Sequence, residues 1–281
     1  IRSTKSEIRN KPEFSNYESS KPVSNFEFRI SNFFYKIKTM DFRIFLYIVF
    51  GILPSLTWLF YYLRKDKHPE SKRMILKIFI WGAVVTLPVF FVQIALATLL
   101  SKLDLAPIYI SIIYWFIVIS FTEEIFKYFV VKSEVFSHHE FDEPVDAMIY
   151  MVIAALGFAA LENILYLFSP IDQLSFNDVV NRTIMISFIR FIGATFLHTL
   201  CSALIGYFLA FSFRETKKLC VWFVSGIIIA TLLHGLYDFS IMTIDGPLKV
   251  IIPVAILISL AIFVISRFEK LKKIKSICLI N

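Results

Sequence analysis

Apolar runs of about twenty residues recur along this 281-residue chain and leave it few ways to fold. At 1.5 Å per residue, such a run crosses the hydrocarbon of a bilayer as one helix. Seven spans are read: Phe42–Leu63, Ile75–Leu100, Ile108–Val131, Asp146–Phe168, Thr183–Phe213, Cys220–Met242 and Leu248–Ser266. Hydrophobic residues make up 57% of the chain and charged ones only 18%, with a mean hydropathy of +0.70. Those proportions exclude an ordinary soluble domain. The expected fold is all-α, a polytopic transmembrane helical bundle. Pro54 marks a kink in the first span, and the fifth is long enough to tilt or to begin along the interface.

The net charge of +7 does not call for nucleic acid, because Lys and Arg gather in short loops between the apolar runs. Arg64, Lys65, Lys67, Lys72 and Arg73 share one side with Arg214, Lys217, Lys218 and the tail Arg267 to Lys275. The opposite loops hold little beyond Lys102, Arg182 and Lys249. By the positive-inside pattern the C-terminus is cytoplasmic in a multi-pass cell-membrane protein. Cys201, Cys220 and Cys278 show neither paired nor metal-type spacing. Residues 1–39 are polar and precede Met40, so they read as a disordered or untranslated extension to an integral-membrane domain over 40–281.

Within this apolar frame, Glu123, Glu124 and Lys127 interrupt the third span. An ionisable group at bilayer depth costs roughly 2.5–3.5 kcal/mol on insertion scales and is seldom kept without a use. At helical spacing Lys127 reaches either carboxylate, being i+4 from Glu123 and i+3 from Glu124. The plain reading is an ion pair that neutralises itself. Other spans, however, carry polar residues that an apolar core does not need. They are Glu162 and Asn163 in the fourth, Arg190, His198 and Ser202 in the fifth, and His234 with Asp238 in the sixth.

Glu123, Glu162, His198 and His234 each lie near the middle of their spans, within about 8 Å of depth, so one layer can hold them all. Each also has a plainer role. His198 can bond a neighbouring backbone or hydroxyl group, Glu162 can bridge helices, and Asp238 can orient His234. In a partly dry cavity a glutamate can serve as general base on a water, with imidazole or amide stabilising the oxyanion. A metal competes, since Glu and His suit zinc. No His-Glu-x-x-His occurs, though, so the ligands would come singly from separate helices. The expectation is no cofactor, with zinc the disfavoured alternative.

Four stretches resemble the PrsW family of intramembrane proteases. They are Phe121–Lys127 with its Glu-Glu-x-x-Lys, His139–Asp146, Gly157–Tyr166 and Leu233–Phe239. The family is related to the CAAX-processing and bacteriocin-immunity (ABI) proteases, so the resemblance implies a CAAX/ABI-protease-like core. It also implies catalytic roles for Glu123, Glu124 and His234. Supporting roles would fall to Lys127, Glu162, Asn163, His198 and Asp238. The implied activity is cleavage of a single-pass membrane protein in the lipid bilayer, such as an anti-sigma factor at its first cut, by a glutamic-type peptidase. Many members carry glycine after the aspartate and again after the tyrosine of Asp146–Met151. Ala147 and Met151 stand there in this chain, so looser helix packing is expected. A proton- or ion-coupled transporter, or a non-catalytic immunity or structural membrane protein, would also retain buried charges.

Overall fold

The computed structural model describes residues 42–64, 70–168, 176–214 and 219–273. Readings placed on residues 1–39, Met40, Lys65, Lys67, Lys217, Lys218, Lys275 and Cys278 lie outside them. The described chain forms α1 (Phe42–Leu63), α2 (Lys72–Leu100), α3 (Pro107–Glu134) and α4 (Asp146–Leu167). It continues with α5 (Phe176–Ile192), α6 (Ala194–Arg214), α7 (Leu219–Thr243) and α8 (Leu248–Leu271). Seven segments are long and apolar enough to cross a membrane, with α5 and α6 together making the fifth, Asn177–Ser212. The chain is an all-α, multi-pass membrane bundle.

Helix ends follow local chemistry. Ser71 caps α2 by accepting the N–H of Met74, and Pro107 opens α3 where no backbone donor is needed. The fifth segment, at 36 residues, is too long for one perpendicular crossing and breaks between α5 and α6 at Gly193. A side chain there would collide with the Tyr237 hydroxyl, 2.5 Å from the site of a Cβ. Pro54, expected to bend the first span, sits inside an unbroken α1.

At the centre stands α4, wrapped by α1, α2, α3 and α6. Large apolar side chains such as Phe45, Phe91 and Ile258 point outward, as a lipid solvent permits. Close approach is bought with small residues. Gly82 of α2 lies against the backbone of Ala154, and Gly157 of α4 against that of Phe79, so neither position has room for a side chain. The looser packing expected around Ala147 and Met151 is absent, since both are fully buried. The glycine that allows contact comes from the other helix. A Cβ on Gly206 of α6 would stand 2.5 Å from the Ala147 carbonyl oxygen and the Met148 Cα.

One stretch of α3 departs from α geometry. Tyr114–Phe121 winds in wide π-type turns that run directly into Thr122 and the paired glutamates. Hydroxyls bond the loosened carbonyls: Ser120 donates to Trp115 at 2.8 Å and Thr122 to Val118 at 2.6 Å. Such turns often occur beside functional groups.

Candidate active site

The polar residues of the spans converge on one buried layer built from α2, α3, α4, α5, α6 and α7. Glu124 and Lys127 are both wholly shut off from solvent. Oε1 of Glu124 lies 2.8 Å from Lys127 Nζ and 2.8 Å from Nδ1 of His234, while Oε2 accepts the Ser202 hydroxyl at 3.2 Å. Three donors from three helices therefore hold this carboxylate. The choice that helical spacing leaves open is made in favour of Glu124, because Lys127 stands 3.9 Å from Glu123.

Glu123 is held on one side only. Its Oε1 accepts from the Gln93 amide at 3.1 Å. Its Oε2 is buried without a hydrogen-bond partner, 3.8 Å from Nε2 of His234 and 3.9 Å from Nδ1 of His198. The two imidazoles stand edge to face, with centroids 5.0 Å apart.

A second chain of contacts runs outward from His198. Its Nδ1 is 2.9 Å from Lys127 Nζ and its Nε2 is 2.8 Å from Oε2 of Glu162. An ammonium only donates, so Nδ1 accepts, which puts the proton of the neutral ring on Nε2, facing Glu162. Arg190 completes the line. Its Nη2 lies 2.8 Å from Glu162 and its Nε donates to Oδ1 of Asn163 at 2.5 Å, with the guanidinium 4.0 Å over the Tyr166 ring. The Asn163 amide in turn donates to Gly51 O and Thr195 Oγ1. Asp238 lies 3.3 Å from Nε2 of His234. With side chains 21% and 23% exposed, Glu162 and Asp238 are the least buried carboxylates of the layer.

Glu123, Glu124, Lys127, Glu162, Asn163, His198, His234 and Asp238, all singled out in the sequence, thus meet. Asp146 does not join them. It opens α4 at the bundle's edge and accepts the N–H groups of Asp142 and Glu143. Gln93, absent from the sequence-level site, contacts Glu123 directly. Its only signal was a lone amide in the apolar run Ile75–Leu100. Arg190 was legible only as a charge in the fifth span, without its fork across Glu162 and Asn163.

The fold and this layer define a class, a membrane-embedded bundle whose centre holds acids, imidazoles and an amine beside its apolar core. Comparison with known sequences narrows it. Residues 70–266 match the family described as PrsW family intramembrane metalloprotease, and the chain belongs to that family. A relative named Protease PrsW from Oceanobacillus iheyensis is 31% identical over 208 residues, 74% of this chain and 88% of the relative. Protease PrsW of Bacillus subtilis is 29% identical over 205 residues, covering 72% of this chain and 86% of its own length. No solved structure matches the chain.

Proposed function

We propose that this chain is an intramembrane endopeptidase that hydrolyses a peptide bond in a single-pass membrane protein, with Glu123 as the carboxylate that handles the attacking water. One observation carries the reading: the buried, unpartnered Oε2 of Glu123, facing both histidines. Membership of a protease family supports hydrolysis over the transporter and structural alternatives. An anti-sigma-factor-like substrate, and a cytoplasmic C-terminus set by the basic loops, belong to the same proposal.

Glu123 takes a proton from water as the oxygen attacks the scissile carbonyl carbon. His234, anchored through Nδ1 to Glu124 and flanked by Asp238, stabilises the oxyanion from its Nε2 side. When the C–N bond breaks, Glu123 returns the proton to the leaving amine. Lys127 balances the charge on Glu124, and Arg190 with Glu162 fixes the His198 ring. The substrate helix must unwind locally, because a helical carbonyl is already engaged by its own hydrogen bond.

The family description implies a metal, and the donor set fits one. One ligand atom each from Glu123, His198 and His234 lies within 4.8 Å of the others. The far nitrogen of each ring faces a carboxylate, Glu162 for His198 and Glu124 for His234, the arrangement that orients imidazole ligands. A bound zinc would act as a Lewis acid on the carbonyl and make its water more acidic. Against this stands Lys127 Nζ, 2.9 Å from the very nitrogen His198 would offer, so the cofactor-free reading comes first.

Purified protein in liposomes, given a single-pass substrate, tests both readings. Cleavage that survives exhaustive chelation but is lost in His234→Ala supports the cofactor-free enzyme. Loss on chelation with recovery on added zinc supports the metal. Undiminished cleavage by His234→Ala and Glu123→Gln would sink the assignment.

A further inference from the structure

The turn between α3 and α4 holds a second group of metal-type side chains that the intramembrane layer does not use. A ring nitrogen of His138, one of His139 and a carboxylate oxygen of Glu140 lie within 4.8 Å of one another. The backbone of this turn is held in place. His138 N–H donates to Val135 O, Phe141 N–H to His138 O, and the Asp146 carboxylate accepts the next two amides. The two rings stack with centroids 4.4 Å apart, so they present their edges to a common side.

Oε2 of Glu140 is buried and has no hydrogen-bond partner. A carboxylate oxygen so placed has lost its water and gained nothing in return. Further carboxylates lie close by. Asp142, Glu143 and Asp146 follow in the turn, and Glu70 accepts the Tyr150 hydroxyl alongside.

We infer that His138, His139 and Glu140 bind one divalent transition-metal ion, zinc being the best match, outside the intramembrane site. Two imidazoles and a carboxylate are a common zinc set, with ligand distances of about 2.0–2.2 Å and a fourth position open to water. Ligand atoms around a tetrahedral ion stand roughly 3.4 Å apart. Any closing the group needs, from separations within 4.8 Å, is supplied by side-chain rotation, since His139 is exposed. The contact given up is weak, a 3.3 Å bond from Glu140 N–H to Nδ1 of His138. The bound ion would fix the turn that joins α3, which carries Glu123, Glu124 and Lys127, to α4, which carries Glu162 and Asn163.

Zinc chloride titrated calorimetrically into the full chain in detergent micelles, purified without a polyhistidine tag, tests the site. One equivalent is expected to bind both wild type and Glu123→Gln/His234→Ala, whose substitutions lie only in the intramembrane layer. His139→Ala/Glu140→Gln should weaken that equivalent at least about tenfold, the scale on which altering a metal site acts. The exposed His139→Ala alone, which leaves the fold undisturbed, should weaken it in the same direction. The inference is overturned if the turn variants bind zinc as wild type does. It is equally overturned if Glu123→Gln/His234→Ala abolishes all binding.

Discussion

Glu123 and Glu124 are neighbours in the chain and sit in opposite halves of one charged layer. Around Glu124 the half is closed: Lys127, His234 and Ser202 occupy its oxygens and no solvent reaches it. Around Glu123, also buried, the half is less filled. One oxygen is held by Gln93, the other faces two imidazoles at nearly 4 Å, and the layer leads outward through Glu162. A buried ion pair stabilises only when its hydrogen-bonding needs are met, and breaking one leaves a stranded charge. On the proposed mechanism the closed half holds the structure while its neighbour stays unsatisfied, the condition for a group that must pick up and release a proton.

Substitutions can break this contrast. Glu123→Gln should lower cleavage by about 10²–10⁴-fold, the usual range for a general base, while unfolding free energy changes by less than about 1 kcal/mol. Cleavage kinetics and denaturation on one preparation check both, and an unfolded Glu123→Gln would erase the distinction. Glu124→Ala should destabilise the fold by about 3–5 kcal/mol by stranding Lys127, read as a lowered unfolding midpoint. A stable but slow Glu124→Ala would instead place both glutamates in the chemistry.

Subtler changes sharpen the picture. Arg190→Lys keeps the charge but loses the fork across Glu162 and Asn163. It should lower kcat about tenfold, one misplaced imidazole's worth, and leave KM nearly unchanged. A rise in KM alone would reassign Arg190 to substrate binding. Ser202→Ala removes one bond from the closed half and should cost about 1 kcal/mol of stability, with cleavage within a factor of about three.

Much of this was readable before any coordinates, for a physical reason. Lipid demands uniform apolar runs, so the seven spans stand out, and it makes charges expensive, so Glu123, Glu124, Lys127 and His234 stand out too. The rest depends on contacts between helices. Lys127 reaches either glutamate along its own helix, and His234 and Ser202, arriving from α7 and α6, favour Glu124. Gln93 gave only a faint signal, since a neutral amide disturbs an apolar run little. Hydropathy does not reveal which helix is central. The most apolar span, α8 at 2.8, is 22% buried, whereas α4 at 1.9 is 78% buried. The greasiest helix packs on α6 and α7 and turns most of its surface outward.

The wide turns of Tyr114–Phe121 set the rotational phase of everything after them in α3. A wide turn uses more residues per revolution than the 3.6 of an α-helix. Wound at the ordinary 3.6 residues per turn, the same eight residues would rotate the downstream part of α3 further about its axis. Glu123 and Glu124, about 100° apart on an α-helix, would then face other neighbours. The stretch thus acts as a phase key, setting which glutamate meets Lys127, His234 and Ser202 and which meets Gln93.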